Sequence, residues 1–476
     1  MDDKTQIMGG NPIPSPGAQP TQMGATRTQM GGIPGAIPGG APGGNATQMM
    51  GKTQMGVDPM RTQMGMPAQT LEVEVLAGNR YAMAPELSRE HALVVIKASG
   101  QQLGRRAPIN VCLCIDRSGS MEGPPLEYAK RACEYVVDML EPNDILSIVS
   151  FEEQVDVLMP ARRVVNKALV KEHIRRLEVG NTTNLYDGLM AGCMQIAQVQ
   201  AQTAGYVSRV LLLTDGEPTA GLKDFASIVQ QVAQQKAQGI TITALGFGNE
   251  YNEELMAGIA RRSGGNYYYI QRPELLPEVF RKELETLMTI VARNVRVRFH
   301  LSKWVNSRQI YGSQPSFNGR TVEVDVPDLE RGTVRTVLAE LELDRHPAGT
   351  FRVSKVEVLY EDVVNNRQEK ASADCVFEFT SDRSLIQANV NQMVRNELDI
   401  ASASQNLQRT MMGMRTQQIT SMGAVQELQK TRTILMQAGQ IGKANELDAA
   451  MKTIQMGGDA EKTLIGTMLN LDQGKR

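Results

Sequence analysis

Residues 111–120 read Val111-Cys-Leu-Cys-Ile-Asp-Arg-Ser-Gly-Ser120, an apolar run of five that stops in one carboxylate and two hydroxyls. The β-branched and apolar residues Val111 to Ile115 suit a strand buried on both faces, and Asp116, Ser118 and Ser120 fall where such a strand leaves its sheet. Ligands of open α/β sheets bind at that rim. Alternate spacing over a turn containing Gly119 lets three oxygens converge. A set of hard oxygens without His or Cys favours Mg²⁺, Mn²⁺ or Ca²⁺ over zinc. The plainer reading of the segment is a polar turn that caps the next helix.

Two further stretches bear on that choice. Residues 210–218, Val210-Leu-Leu-Leu-Thr-Asp-Gly-Glu-Pro218, again deliver an Asp at the end of an apolar run, and residues 180–189 supply Thr183 just before an amphipathic helix. The three motifs together resemble the von Willebrand factor type A domain, over about residues 105–292. In that family Asp-x-Ser-x-Ser, a Thr from a second loop and an Asp from a third build a metal-ion-dependent adhesion site. The resemblance places that site at Asp116, Ser118, Ser120, Thr183 and Asp215. It implies that the hydroxyls meet the ion directly while the carboxylates act mainly through waters, leaving an open position that a carboxylate from another protein fills.

The 476 residues have room for two or three domains, and 41% apolar content supports sizeable cores. Lys plus Arg (50) nearly balance Asp plus Glu (52), so no bulk charge draws the chain to nucleic acid or an anionic membrane. Cysteines at 112, 114, 133, 193 and 375 are too scattered for a disulfide framework, which fits a reducing cytoplasm. Cys112 and Cys114 alternate within a buried strand and read as small core residues rather than as a redox or metal pair. No run approaches the ~18 apolar residues of a membrane span, and the acidic start Met1-Asp-Asp-Lys lacks the pattern of a secretory signal.

Residues 1–69 are rich in Gly, Pro, Met, Thr and Gln without helical or strand periodicity, and are expected to be disordered. They repeat Thr-Gln-Met at Thr21, Thr28, Thr47, Thr53 and Thr62, with Thr-Gln-Ile at Thr5; a basic residue precedes Thr5, Thr28, Thr53 and Thr62. These six threonines are candidate phosphorylation sites for a Ser/Thr kinase, and phosphorylated they would suit a phosphothreonine reader such as a forkhead-associated domain. The competing reading is a linker expanded by duplication.

Residues 70–104 alternate in strand fashion around Leu71, Val73 and Val75 and again from Ala92 to Lys97. Strands then alternate with helices over 105–293, which predicts a Rossmann-like, doubly wound, largely parallel α/β sheet. Residues 294–381 read as all β. Because a sandwich needs two sheets, the strands of 70–98 are expected to complete this one, with the α/β domain inserted between its parts. Bacterial proteins that the chain resembles often carry such a flanking β domain. Residues 382–476 predict two or three helices, broken around Met412-Gly-Met and Ala438-Gly-Gln. There Arg409-Thr410, Arg415-Thr416 and Lys462-Thr463 echo the tail, or simply occupy solvated helix faces.

The expected function is therefore a metal-dependent protein–protein interaction by a non-enzymatic, cytoplasmic adaptor regulated through its tail. Two alternatives remain: a phosphothreonine-dependent scaffold in kinase signalling with a mainly structural metal domain, and a metal-assisted phosphohydrolase. Against the hydrolase, Arg117 and Ser118 follow Asp116 where a second carboxylate is needed. The histidines at 91, 173, 300 and 346 also lie outside the three loops, and Glu122 and Glu217 read as solvated loop residues. A dinucleotide site at Gly246-Phe-Gly248 fails because Tyr251 stands where a third glycine is required.

Overall fold

The computed structural model describes residues 70–99, 106–248, 251–458 and 460–474. Strands β1 (Leu71–Ala77), β2 (Tyr81–Met83) and β3 (Ser88–Ala98) come first. The α/β region follows as β4 (Ile109–Asp116), α1 (Pro124–Met139), β5 (Ile145–Phe151), β6 (Val155–Arg163), α2 (Lys167–Arg175), α3 (Leu185–Gln198), β7 (Val207–Thr214), α4 (Phe225–Ala237), β8 (Thr241–Phe247), α5 (Glu253–Ser263), β9 (Tyr267–Ile270) and α6 (Leu276–Met288). Its six-stranded sheet runs β6-β5-β4-β7-β8-β9, with every neighbour parallel except the edge strand β6.

Burial on both faces explains the composition of β4, in which every residue is buried. Cys112 and Cys114 face α3, α4 and α5, whereas Val111, Leu113 and Ile115 face α1, α2 and α6. All five cysteines are buried and free, as small core residues should be. Burial pushes the Cys112 thiol up to about 12, so it stays protonated. Chain order reverses between β5 and β7 on either side of β4, which makes the carboxyl end of β4 the switch point of the sheet.

After α6 the chain is β: β10 (Ile290–Leu301), β11 (Val305–Ile310), β12 (Ser316–Asn318), β13 (Thr321–Val326), β14 (Leu329–Glu330), β15 (Val334–Leu343), β16 (Gly349–Asp362) and β17 (Arg367–Thr380). One sheet runs β1-β3-β15-β11 and the other β12-β13-β10-β16-β17-β2, with β14 also on β10. The two inner faces share one core, from Val94 and Ile96 on β3 to Phe299, Val337, Val358 and Phe377. Strand β3 pairs with β15 over ten residues, Ser88 against Leu343 through Lys97 against Val334. Segments from both sides of the α/β domain thus complete each other, as two half-buried sheets require.

The last part of the chain is α7 (Arg383–Ala388), α8 (Gln392–Arg415), α9 (Ser421–Gln437), α10 (Ile441–Gln455) and α11 (Glu461–Asp472), five helices where the sequence predicts two or three. Side-chain caps account for part of the difference, since Asn391 accepts from Met393 N and Val394 N, and Thr420 accepts from Gly423 N. Conversely, Met412-Gly-Met does not break α8. Gly413 is buried inside that helix, where a Cβ would stand 2.4 Å from Ile419 Cδ1. The glycine lets the α8–α9 turn fold closely. Leu407, Leu447 and Leu464 join the same core as α5 and β9, so the helices cover that flank of the α/β sheet. Among the described residues no helix is long and apolar enough to cross a membrane.

Candidate metal centre

Strand β4 delivers Asp116 at its last position, opposite Phe151 of β5 and fully buried. The next residues turn tightly, and Ser118 N donates to Asp116 Oδ1 at 2.8 Å. Thr214, ending β7, donates its hydroxyl to Asp116 Oδ2 at 2.5 Å. Ser118 Oγ lies 3.2 Å from Ser120 Oγ, and Ser120 Oγ donates to Asp215 Oδ1 at 2.7 Å. Asp116, Ser118, Ser120 and Asp215 are therefore one connected group. Thr183 borders it through Gly216: a Cβ built on that glycine would stand 3.5 Å from Ser120 Oγ and 3.6 Å from Thr183 Oγ1. All five predicted residues converge on the same rim.

The second loop is held by its backbone. Gly180 N donates to Arg117 O at 2.6 Å, Gly119 N to Asn181 O at 3.2 Å, and Asn184 N to Glu152 O at 2.7 Å. Thr183 N donates to Thr219 Oγ1, while Thr183 O accepts from Thr219 N and Ala220 N. Thr183 is thus tied to the third loop as well as the first. Asn184 then caps α3 by accepting from Asp187 N.

Burial pushes the Asp116 carboxyl up to about 6; hydrogen bonds from Thr214 and Ser118 oppose this and the neighbouring Asp215 charge adds to it. A buried carboxylate beside a second carboxylate lacks a positive counterpart among the groups that move it. The donor set, two carboxylates and three hydroxyls around a glycine cradle, fits a hard divalent cation. Among the described residues no group of three His, Cys, Asp or Glu side chains is placed to hold a metal. His91 on β3, His173 on α2, His300 on β10 and His346 before β16 stay outside the three loops, and Glu122 and Glu217 are exposed.

Sequence reasoning missed the groups behind the site. In the sequence Thr214 reads only as part of a strand, yet it orients Asp116; its one sequence signal is that it precedes Asp215. Arg117 pairs with Glu152 at 3.5 Å and Asp156 at 2.9 Å. The Glu152 carboxylate also accepts from Gln154 N at 3.2 Å and Asn181 N at 3.4 Å. The Glu153 backbone N–H above all, with those of Gln154 and Asn181 and the Arg117 charge, holds it below the usual carboxylate range, against a smaller upward push from burial. The tail threonines lie outside the described residues. Of the echoes, Thr410 is buried and donates to Asn406 O, and exposed Thr416 donates to Met412 O. Arg415 pairs with Glu254 and Glu461, and Lys462 with Glu253.

Residues 110–282 match the von Willebrand factor type A domain. The chain is 29% identical over 294 residues to an uncharacterized protein of Synechocystis sp., covering 60% of this chain and 69% of that one. It is 28% identical over 284 residues to the uncharacterized protein YfbK of Escherichia coli (56% and 48%). Identity is again 28% over 163 residues with inter-alpha-trypsin inhibitor heavy chain H1 of Mesocricetus auratus (33% and 18%). The chain thus spans about half of YfbK and under a fifth of the heavy chain. Among solved structures, a von Willebrand factor type A protein from Catenulispora acidiphila has a TM-score of 0.64 at 17% identity, over 81% of this chain and 90% of that one. The ArnB paralog VWA2 from Sulfolobus acidocaldarius has 0.59 at 17% identity, over 85% and 98%. At that identity the likeness is one of fold.

Proposed function

Taking residues 110–282 as a von Willebrand factor type A domain, we propose that this chain binds a partner protein through a divalent cation held by Asp116, Ser118, Ser120, Thr183 and Asp215. The observation that carries the reading is the unbroken run of contacts from Asp116 through Ser118 and Ser120 to Asp215, with Thr183 across Gly216. Such domains are generally metal-dependent interaction modules. When bound, the cation supplies a Lewis-acidic position that takes a carboxylate from outside. This chain's residues orient that position: Thr214 and the Ser118 amide fix Asp116, and the backbone bonds of loops one and two fix Thr183. A charge-assisted contact of this kind makes one partner Asp or Glu a hot spot within an otherwise ordinary interface.

Mg²⁺ is the preferred ion in this reading, with Mn²⁺ or Ca²⁺ as substitutes, because all the donors are hard oxygens. Binding rather than hydrolysis is favoured by the first loop, where Arg117 is held by Glu152 and Asp156 and supplies no base. The proposal extends to a cytoplasmic adaptor whose Thr-Gln-Met threonines are phosphorylated by a Ser/Thr kinase and read by a forkhead-associated domain, on the strength of six repeats of one phosphorylatable context. Pull-downs from the source cells with the full chain, in Mg²⁺ and in EDTA, test the metal arm. Partners retained in Mg²⁺ and lost both in EDTA and with Thr183→Ala are expected; an identical set under all conditions would overturn it. Phosphosite mapping of the same material tests the tail.

A further inference from the structure

The loops around the metal centre carry charge of one sign. Over the whole chain Lys plus Arg (50) nearly balance Asp plus Glu (52), so composition alone would surround the site with a neutral surface. The carboxyl end of β4 departs from that balance. Glu122 follows the hydroxyls of the first loop, Glu153 sits in the turn between β5 and β6, and Glu217 comes just after Asp215 and Gly216; all three are exposed. Each is tied by its backbone to the metal loops. Glu122 N donates to Gly119 O at 3.2 Å, and Glu153 O accepts from Asn184 Nδ2 at 3.5 Å. Glu217 adjoins the Gly216 cradle, where a Cβ would stand 3.5 Å from Ser120 Oγ.

These three carboxylates have no ion pair or hydrogen bond among the described residues. The other charges of the rim are engaged. Arg117 holds Glu152 and Asp156, Asp187 accepts from Asn184 Nδ2 at 2.8 Å, and Asp224 caps α4 by accepting from Ser227 N at 2.8 Å. Among the described residues of the metal loops, Lys223 is the one basic side chain without a partner, and the second loop from Gly180 to Asn184 has no charged residue. A divalent cation is offset by Asp116 and Asp215, so the free glutamates leave an excess of negative charge around its open position. An incoming carboxylate is then attracted by the ion and repelled by what surrounds the ion, unless its own neighbours are basic.

We propose that the metal centre selects a partner protein whose ion-binding Asp or Glu is embedded in Lys and Arg, the basic flanks meeting Glu122, Glu153 and Glu217. The inference rests on the metal-dependent reading above and adds the chemistry of the partner. Exposed ion pairs each contribute little at equilibrium, so the selection acts mainly on encounter. A basic surface is steered to the rim, an acidic one is turned away, and the association rate falls as salt is raised.

The test pans a displayed library of random peptides on the immobilised full chain in Mg²⁺, elutes with EDTA and sequences what is released. Peptides with an Asp or Glu flanked by Lys or Arg are expected. A synthetic peptide with a central Asp between lysines should then associate about tenfold faster at low salt than the same peptide with alanines in place of the lysines. Replacing its Asp by Asn should abolish the Mg²⁺-dependent binding. In the triple variant Glu122→Gln, Glu153→Gln, Glu217→Gln, compared at saturating Mg²⁺, the ratio of the two rates should fall toward one; the three side chains are exposed and unpaired, so the fold does not depend on them. EDTA-released peptides without a basic bias, or a ratio unchanged in the triple variant, would overturn this inference and leave the metal centre standing. No EDTA-released peptide at all, or a lysine-flanked Asn peptide that binds as well as the Asp one, would overturn the metal-dependent reading with it.

Discussion

Glu152 sits where three segments meet, and its removal should weaken metal binding without touching a ligand. Its carboxylate accepts from Gln154 N and Asn181 N and faces Arg117, and its carbonyl receives Asn184 N, so it links the loops that carry Asp116 and Thr183. Gly180 provides the room, since a Cβ there would stand 2.6 Å from Glu152 Cγ. In Glu152→Ala the Asn181 amide loses an acceptor and Arg117 retains only Asp156. Each ordinary hydrogen bond contributes about 0.5–1.5 kcal/mol, and the bonds to Asn181 and Arg117 are long, so the total loss is about 1–2 kcal/mol. If most of that loss is in loop order needed for the cation, affinity for Mg²⁺ falls about 5- to 30-fold. Calorimetric titration of the full chain reads it directly. Glu152→Gln should lose less than Glu152→Ala. Gly180→Ala should act in the same direction as Glu152→Ala. Mg²⁺ affinity unchanged in Glu152→Ala and Gly180→Ala would refute the coupling.

Two predictions concern the frame around the site. Glu283 is fully buried on α6 and accepts from Thr243, Asn266 and Tyr268 while facing Arg209, which in turn meets Asp328 at 3.3 Å. Glu283→Gln leaves Arg209 short of negative charge in a dry setting and should lower stability by about 3 kcal/mol in urea denaturation; a change below about 1 kcal/mol contradicts that account. Glu90, on β3 in phase with Ala92, Val94 and Ile96, has its carboxyl pushed up by burial to about 8. The folded chain therefore keeps a proton that the unfolded chain releases above about 4.5, so stability is greatest below that value and falls as pH rises toward 8. The fall corresponds to at most ~1.4 kcal/mol per unit, and partial exposure reduces the total to roughly 2 kcal/mol. Glu90→Gln should flatten the profile of melting temperature between pH 5 and 8; an unchanged slope would count against it.

The metal rim was legible because its information is local. An apolar strand ending in Asp116 and another followed at once by Asp215 state burial and chemistry within ten residues each. The sandwich was legible for a related reason, since the alternation at 70–98 demands a second sheet, and the sheet built on β10, β16 and β17 supplies it. What sequence could not provide was long-range pairing. Nothing near Arg117 announces Glu152 or Asp156. Helical periodicity in 383–476 marked apolar faces without saying that they pack on α5 and β9. Gly413 misled because a buried glycine at a close helix turn and a helix break look alike in sequence.

The central claim, a divalent cation held by loop oxygens at the carboxyl end of β4, is tested most directly by titrating the full chain with Mg²⁺ beside Thr183→Ala and Asp116→Ala, after melting curves confirm that all three are folded. One saturable site in the parent chain, lost in both variants, is the result this account predicts. Equal Mg²⁺ binding in all three proteins, or none in the parent chain, would contradict it.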